Sequence, residues 1–328
     1  MEQSKFILAS RGSALALWQS NWVKGEVERS SPGSRVEILI IRTTGDQMTH
    51  QPLPQIGGKG LFTKEIEDAL RDGRADFAVH SLKDLPTEMP AGLLLAAVPQ
   101  REDPRDALIS RDGAHLNDLP PQAVVGTSSV RRVAQLKRLR PDLRIEPLRG
   151  NLDTRLRKLR EGETHAIVLA AAGLHRMGLA DEITEYFSEE ILCPAVGQGA
   201  LGIEARAGDP RTLQALSPLE DLWTRLSVTA ERSLLQALGG GCQIPIAAAV
   251  SRDGERMRLK AMVIRPDGSE MITATELSFV ANRGREGGME AAEALGRKTA
   301  QSLLEKGAGK VLQDLAPALA SLPAPQTP

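Results

Sequence analysis

Short apolar runs alternating with amphipathic helical stretches constrain this chain most, and the pattern is stated twice. "KFILAS" reads as a strand and "ALALWQSNWVKGEVER" as the helix behind it; "RVEILII" is a second strand. The helix "LFTKEIEDALRDG" closes on Gly73, and the strand "ADFAVHS" runs into "LKDLP". After "REDPRDALIS" the pattern restarts: "AVVGTSS" precedes the helix "VRRVAQLKRLR", "LRIEPLRGN" the helix "LDTRLRKLREG", and "HAIVLAAAG" follows. Such alternation predicts βα units around a parallel sheet. The fold class is α/β, with two doubly wound lobes and a small α+β C-terminal domain.

"PAVGQGALGIEAR", with glycines at 197, 199 and 202, reads as a crossover returning the chain to the first lobe. Lobe one is therefore expected over 1–100 with 198–219, and lobe two over 101–197. From about 220 a helix, "TRLSVTAERSLLQAL", precedes a stretch whose Asp-Gly pairs at 253–254 and 267–268 predict an antiparallel meander. A last helix is expected over about 289–306, giving an α+β domain over 220–310. The Pro/Ala-rich end predicts a disordered tail over 311–328. No period of 20–50 residues repeats, which excludes a solenoid.

Composition excludes several function classes. Forty-one basic residues face 42 acidic ones, and nothing in that balance favours nucleic acid or membrane. No window nears the ~18 apolar residues of a membrane span, and no apolar run follows a basic head at the start, so a cytoplasmic protein is expected. Cys193 and Cys242 are the two cysteines, too few for a disulfide framework. Five scattered histidines without CxxC or HxxxH spacing predict no metal site.

Charge is uneven locally. Residues 126–160 hold eleven Arg or Lys against three acids. Most suit a solvated helix face, but Arg131 and Arg132 fall in the first turn of a helix, where cations oppose its dipole. With the helix's free N–H groups and the hydroxyls of "GTSS" they predict an anion cradle, and their replacement is expected to impair binding rather than folding. "SRGSALAL" repeats the device with Arg11 and Ser13 at another strand–helix junction; Arg149 ends a strand, and Arg155 enters the next helix. Ligands of doubly wound sheets bind outside the carboxyl ends of the strands, and these groups share that side.

"GGKGLF" is a glycine loop with Lys59 but lacks P-loop spacing. Lys83 and Asp84 in "VHSLKDLP" read either as a surface ion pair or as a crevice with one acid among cations, in which Asp84 stays ionised. Cys193 sits in an apolar run and reads as a core residue. Cys242 follows three glycines that clear its approach, although a glycine-capped helix with a packed thiol fits the same letters.

The chain resembles the porphobilinogen deaminase (hydroxymethylbilane synthase) family over about 5–310. "SRGSALAL", "GGKGLFTKE", "AVHSLKDLP", "REDPRDA", "VGTSSVRR", "LRGNLDTRL", "AAAGLHRMG", "PAVGQGALGIE", "TAER" and "GGCQIPIA" occur in the family's order. The resemblance implies two lobes like those of periplasmic binding proteins and a small domain bearing the cysteine. Cys242 matches the residue that carries a dipyrromethane cofactor through a thioether. Asp84 matches the catalytic carboxylate. Arg11, Arg131, Arg132, Arg149, Arg155 and Arg176 match residues contacting the acetate and propionate groups of the pyrroles, helped by Ser13, Lys59, Ser81, Lys83, Thr127, Ser129 and Gln198. The implied enzyme is a monomer that joins four porphobilinogen molecules head to tail in tetrapyrrole biosynthesis, with uroporphyrinogen-III synthase receiving the product.

Two positions depart from the family pattern: Gln55 stands where a lysine is usual, and Gly239 where a glutamate is. A non-catalytic two-lobed binding protein is the first competing reading, but it leaves Cys242 without a role. Nucleic-acid binding through 126–160 is the second, and the absence of aromatic residues there opposes it.

Overall fold

The computed structural model describes residues 4–47, 61–239, 244–279 and 284–320. The chain divides into two compact units. The first holds the described residues of Met1–Thr49, Lys59–Glu102 and Gly199–Arg225; the second holds those of Asp103–Gln198 and Leu226–Pro328.

In the first unit, β1 (Ser4–Ser10) pairs in parallel with β2 (Ser34–Ile40) and β3 (Phe77–Ser81). β4 (Leu93–Ala97) lies at the far edge, and β10 (Leu201–Arg206) fills the gap antiparallel to both β3 and β4. The order is β2-β1-β3-β10-β4. Helix α1 (Ala14–Ser30) covers one face, where Val23 and Val27 meet Phe6, Leu8, Val36, Phe77 and Val79. The helix Lys64–Arg71 covers the other, where Ile66, Ala69 and Leu70 meet Ala9 and Ala78. Strands covered on both faces read as unbroken apolar runs, which is why "KFILAS" and "DFAVHS" were visible in the letters. Each large aliphatic side chain removed from water contributes about 1.5–3 kcal/mol.

The second unit repeats the plan. β6 (Val124–Gly126), β7 (Arg144–Glu146) and β8 (Ala166–Ala170) are parallel, and β5 (Asp106–Ser110) is antiparallel to β8 and β9 (Glu185–Tyr186), in the order β7-β6-β8-β5-β9. The sheets are thus mixed, not parallel throughout. In the first sheet β10 arrives only after the chain has passed through Asp103–Gln198 of the second unit, whereas β5 opens the second unit shortly after β4 ends.

The same unit contains the antiparallel meander β11 (Ile246–Asp253), β12 (Arg256–Ile264) and β13 (Met271–Phe279), with turns at Gly254 and Gly268 in the left-handed region (φ 63° and 78°). The last long helix runs Gly284–Glu305 and crosses the helix Leu222–Ala237 closely: a Cβ on Gly296 would lie 2.4 Å from the Ala230 carbonyl oxygen. The expected disorder from 311 is not what the chain shows as far as residue 320. Residues Ala308–Ala320 form a helix, with Ala308 and Val311 fully buried and Arg265 paired to Asp314 at 2.7 Å. A few apolar contacts outweigh the Pro/Ala composition there. Among the described residues no helix is long and apolar enough to cross a membrane.

Candidate active site

In each unit the predicted groups gather where parallel strands end. In the first unit β1 runs into Arg11 and Ser13, and Ser13 caps α1 by accepting from the Ala16 N–H at 3.3 Å. Arg11 is held twice: its Nε donates to Asp46 at 3.1 Å, and its guanidinium lies 4.2 Å from the centre of the Phe62 ring. Burial would raise the Asp46 pKa, but hydrogen bonding and charge from Arg11, with Thr43, hold it below the ordinary carboxylate range.

β3 ends at Ser81, whose hydroxyl accepts from Gln19 at 3.1 Å, and a single 3-10 turn, Leu82–Asp84, follows. Leu82 and Leu85 are buried, which points the turn outward and leaves Asp84 exposed beside half-buried Lys83. Gly202 of β10 makes room for this turn: a Cβ there would lie 2.8 Å from Leu82 and 2.9 Å from Leu85. Leu82 N–H also donates to the Ala200 carbonyl at 3.0 Å.

In the second unit β6 ends in Thr127, Ser128 and Ser129, and the helix Val130–Leu139 begins. Thr127 is buried and its hydroxyl accepts from the Ser129 N–H at 3.3 Å; Ser128 donates to the Leu148 carbonyl at 2.9 Å. Ser129 makes no side-chain cap to the helix.

Arg131 and Arg132 are not on an open cradle. They are 4% and 5% exposed, and both reach fully buried Asp106 at the start of β5. Arg131 Nη1 donates to Asp106 Oδ2 and to the Cys193 carbonyl, both at 2.6 Å. Arg132 engages all three nitrogens: Nη2 and Nε reach Asp106 Oδ1 at 2.7 and 3.0 Å, and Nη1 reaches the Val168 carbonyl at 2.8 Å. Gln198 Nε2 donates to the same Oδ1 at 2.9 Å. Burial would raise the Asp106 pKa, yet the two guanidinium charges hold it far below the ordinary range. Burial pulls Arg132 below its usual value, partly offset by Asp106. Burial also changes what an Arg132 substitution removes: it would leave Asp106 under-compensated.

Arg149 and Arg155 flank a built turn. Gly150 has φ +110°, and a Cβ there would lie 2.6 Å from Thr154; Asn151 then caps the helix Leu152–Arg160 by accepting from the Thr154 N–H at 2.9 Å. Arg155 Nε donates to the Gly150 carbonyl at 2.9 Å, and burial draws the Arg149 pKa downward. Arg176 is 9% exposed at the end of the short helix Ala171–Arg176 that follows β8.

Cys193 is fully buried against Ala247, Ala249 and Met262, and burial pushes its thiol up to about 12, which makes it an inert packing residue. Lys59, Gln55 and Cys242 lie outside the described residues. Gly239 has φ +64° just past the helix Leu222–Ala237, a conformation open to glycine and strained for the glutamate usual there. Among the described residues no group of three His, Cys, Asp or Glu side chains is placed to hold a metal.

Asp46, Asp106 and Phe62 carry no role in the sequence reading, although they hold the arginines. An aspartate opening the apolar run "DALIS" is the signal that could have exposed Asp106, because a buried acid requires partners.

The second unit also bears on an anionic ligand. Two buried guanidinium groups share one carboxylate, and Arg131 Nε is buried without a hydrogen-bond partner. This donor set has capacity left for a carboxylate-bearing group.

Residues 6–214 match the family model described as porphobilinogen deaminase, dipyromethane cofactor binding domain, and residues 225–305 match porphobilinogen deaminase, C-terminal domain. The porphobilinogen deaminase of Syntrophotalea carbinolica is 47% identical over 315 residues, 96% of this chain and 97% of that one. That of Brevibacillus brevis is 48% identical, covering 95% of this chain and 97% of the other. Among solved structures, the methionine-binding protein MetQ aligns with 66% of this chain and 89% of its own at 11% identity, with a TM-score of 0.43. An arginine-specific periplasmic binding protein of Salmonella typhimurium aligns with 68% and 94% at 13% identity, with a TM-score of 0.37.

Proposed function

The chain belongs to the porphobilinogen deaminase family, and from that premise we infer that it is a transferase of tetrapyrrole biosynthesis. It deaminates four porphobilinogen molecules, joins them head to tail, and, with one water hydrolysing the bond to the dipyrromethane, releases hydroxymethylbilane and one ammonia per ring. The observation that carries this reading is the match to both family domains in order, with 47% identity across 96% of the chain.

The unmatched guanidinium capacity around Arg131 fits a dipyrromethane whose rings carry carboxylates. When bound, that group supplies the free pyrrole carbon to which the first substrate ring is joined. Cys242 is the proposed tether. Arg131, with Arg149, Arg155 and Arg176 and the hydroxyls of Thr127 and Ser129, binds acetate and propionate groups. Arg132 and Gln198 serve the same site by holding Asp106 beside Arg131. Arg11, Ser13, Ser81 and Lys83 play the binding part in the first unit, with Lys59 from the glycine loop. A charge-assisted contact of this kind is worth about 1.5–3 kcal/mol.

Asp84 is the proposed catalytic carboxylate. Loss of ammonia from the aminomethyl carbon of porphobilinogen leaves an azafulvenium cation, so positive charge spreads through the ring as the reaction proceeds. A fixed carboxylate at the pyrrole N–H stabilises that charge more in the transition state than in the ground state. Exposure of Asp84 at the tip of a turn anchored by two buried leucines supports this, because the carboxylate is both reachable and held.

The proposal extends to a cytoplasmic monomer whose linear product passes to uroporphyrinogen-III synthase; size-exclusion chromatography tests the monomer. Incubation of the purified protein with porphobilinogen tests the activity. Ammonia and hydroxymethylbilane should appear together, whereas saturable binding without ammonia would favour a binding protein.

A further inference from the structure

A buried cluster of three titratable side chains lies in the first unit beneath the turn that carries Asp84. His80 precedes Ser81 in β3, Glu204 comes from β10, and Glu67 from the helix Lys64–Arg71; they are 5%, 0% and 7% exposed. Glu204 pairs across the strands with Ala78, which packs against that helix, and His80 follows Ala78 by two residues, on the same face. His80 Nε2 lies 3.0 Å from Glu204 Oε2.

We propose that Glu67, His80 and Glu204 form a proton-holding cluster that fixes β10 against β3 and thereby positions Asp84. This rests on the reading of Asp84 as the catalytic carboxylate. Apolar side chains could hold strand to helix with less desolvation, since each buried ion carries a desolvation cost before its partner compensates. Buried acids without a structural advantage point to a site under functional constraint.

The cluster has an internal clue. Glu204 Oε1 and Glu67 Oε1 are both buried without a hydrogen-bond partner. A proton on Glu67 resolves this, because a neutral carboxyl can donate toward the Glu204 carboxylate, directly or through a buried water. Burial first, and the negative charge of Glu204 as well, keep the Glu67 pKa above the ordinary value, against the lowering effects of Thr63, Arg71 and His80. Thr63 and Arg71 reach Glu67 from its own helical segment, His80 from β3 and Glu204 from β10.

The mechanical link runs through Gly202. It pairs with His80 across the two strands and has Leu82 and Leu85 pressed against it. Any shift of β10 relative to β3 is therefore passed to the turn Leu82–Asp84. His80 and Glu204 are positioning residues, not catalytic ones.

Glu204→Gln, His80→Gln and Glu67→Gln test this in the cofactor-loaded protein, by single-turnover ammonia release and by Tm across pH. Glu204→Gln and His80→Gln should lower kcat, by up to about 100-fold for a displacement near 1 Å, with KM within about twofold of wild type. Their double mutant should be no worse than the poorer single one. Because the fold favours protonated Glu67, wild type should lose stability and kcat as pH rises through that carboxyl's pKa, and Glu67→Gln should keep both.

Lower Tm with unchanged kcat in Glu204→Gln and His80→Gln would make the cluster structural only and overturn the proposal. Coincident alkaline profiles of wild type and Glu67→Gln would overturn the protonated glutamate; this comparison still decides if the other two variants fold poorly. Asp84→Asn is assayed alongside. Full activity there sinks the reading of Asp84 itself, whereas an inactive Asp84→Asn with wild-type cluster variants sinks this inference alone.

Discussion

Asp84 and Asp106 carry the same functional group in opposite surroundings, and the difference predicts opposite mutant behaviour. Asp84 is exposed, so its substitution should leave folding nearly intact and act on chemistry. Asp84→Glu keeps the charge one methylene away and should retain weak activity. Asp84→Asn keeps the shape without the charge and should fall further, by about 10²–10⁴-fold if proton transfer is among its tasks. Single-turnover ammonia release on preloaded protein separates the two, and Asn matching wild type would remove Asp84 from the mechanism. Asp106 is fully buried between two guanidinium groups. Arg132→Leu should therefore destabilise the second unit by about 3–5 kcal/mol, the cost of removing one partner from a buried ion pair. Thermal or urea unfolding checks this, and an unchanged midpoint would return Arg132 to a purely ligand-binding role. Since the fold lowers the Asp106 pKa, its contribution is present at neutral pH and is lost as pH falls from the unfolded aspartate value toward the lowered one.

At the scale of elements, the strands were legible because both faces are covered, and the helices because their caps and periodicity are local. The direction of β5 and β10 was not legible, for "DALIS" and "LGIEAR" read the same either way along a buried sheet. The helix Ala308–Ala320 was missed because its support comes from buried contacts of Ala308 and Val311 that composition does not encode. For the candidate site, the cations and Asp84 stood out as unbalanced charges beside strand ends, whereas the acids that hold them lie distant in sequence. Asp46 is 35 residues from Arg11, and Asp106 is 25 from Arg131. Close element contacts are testable too. Gly296 admits the backbone of the helix Leu222–Ala237 at a distance no side chain allows. Gly296→Val should cost at least the ~1–3 kcal/mol typical of overpacking, visible as a lower Tm, while exposed Gly25→Ala on α1, with open space at its Cβ, should be neutral or slightly stabilising. Equal Tm values for Gly296→Val and wild type would mean that the two helices separate without cost.

For the whole molecule, an excess of buried positive charge predicts that cofactor loading raises stability. The second unit holds two guanidinium groups on one carboxylate, and Arg131 Nε lacks a partner. Left alone, that arrangement carries a desolvation penalty that an anionic group at Arg131 would relieve. Wild-type protein should therefore show the added mass of a covalent dipyrromethane and melt above Cys242→Ala, which should show only the bare chain mass. Cys193→Ala should keep the added mass, since that thiol is buried and held protonated well past neutral pH. The gap in Tm between loaded and unloaded protein should narrow in an Arg131→Leu background, where the unmatched donor is gone. Intact mass and thermal unfolding are read on the same samples, so attachment and stabilisation are scored independently. Added mass on Cys242→Ala would place the tether elsewhere. A Tm gap unaffected by Arg131→Leu would show that the cofactor stabilises the chain through other residues.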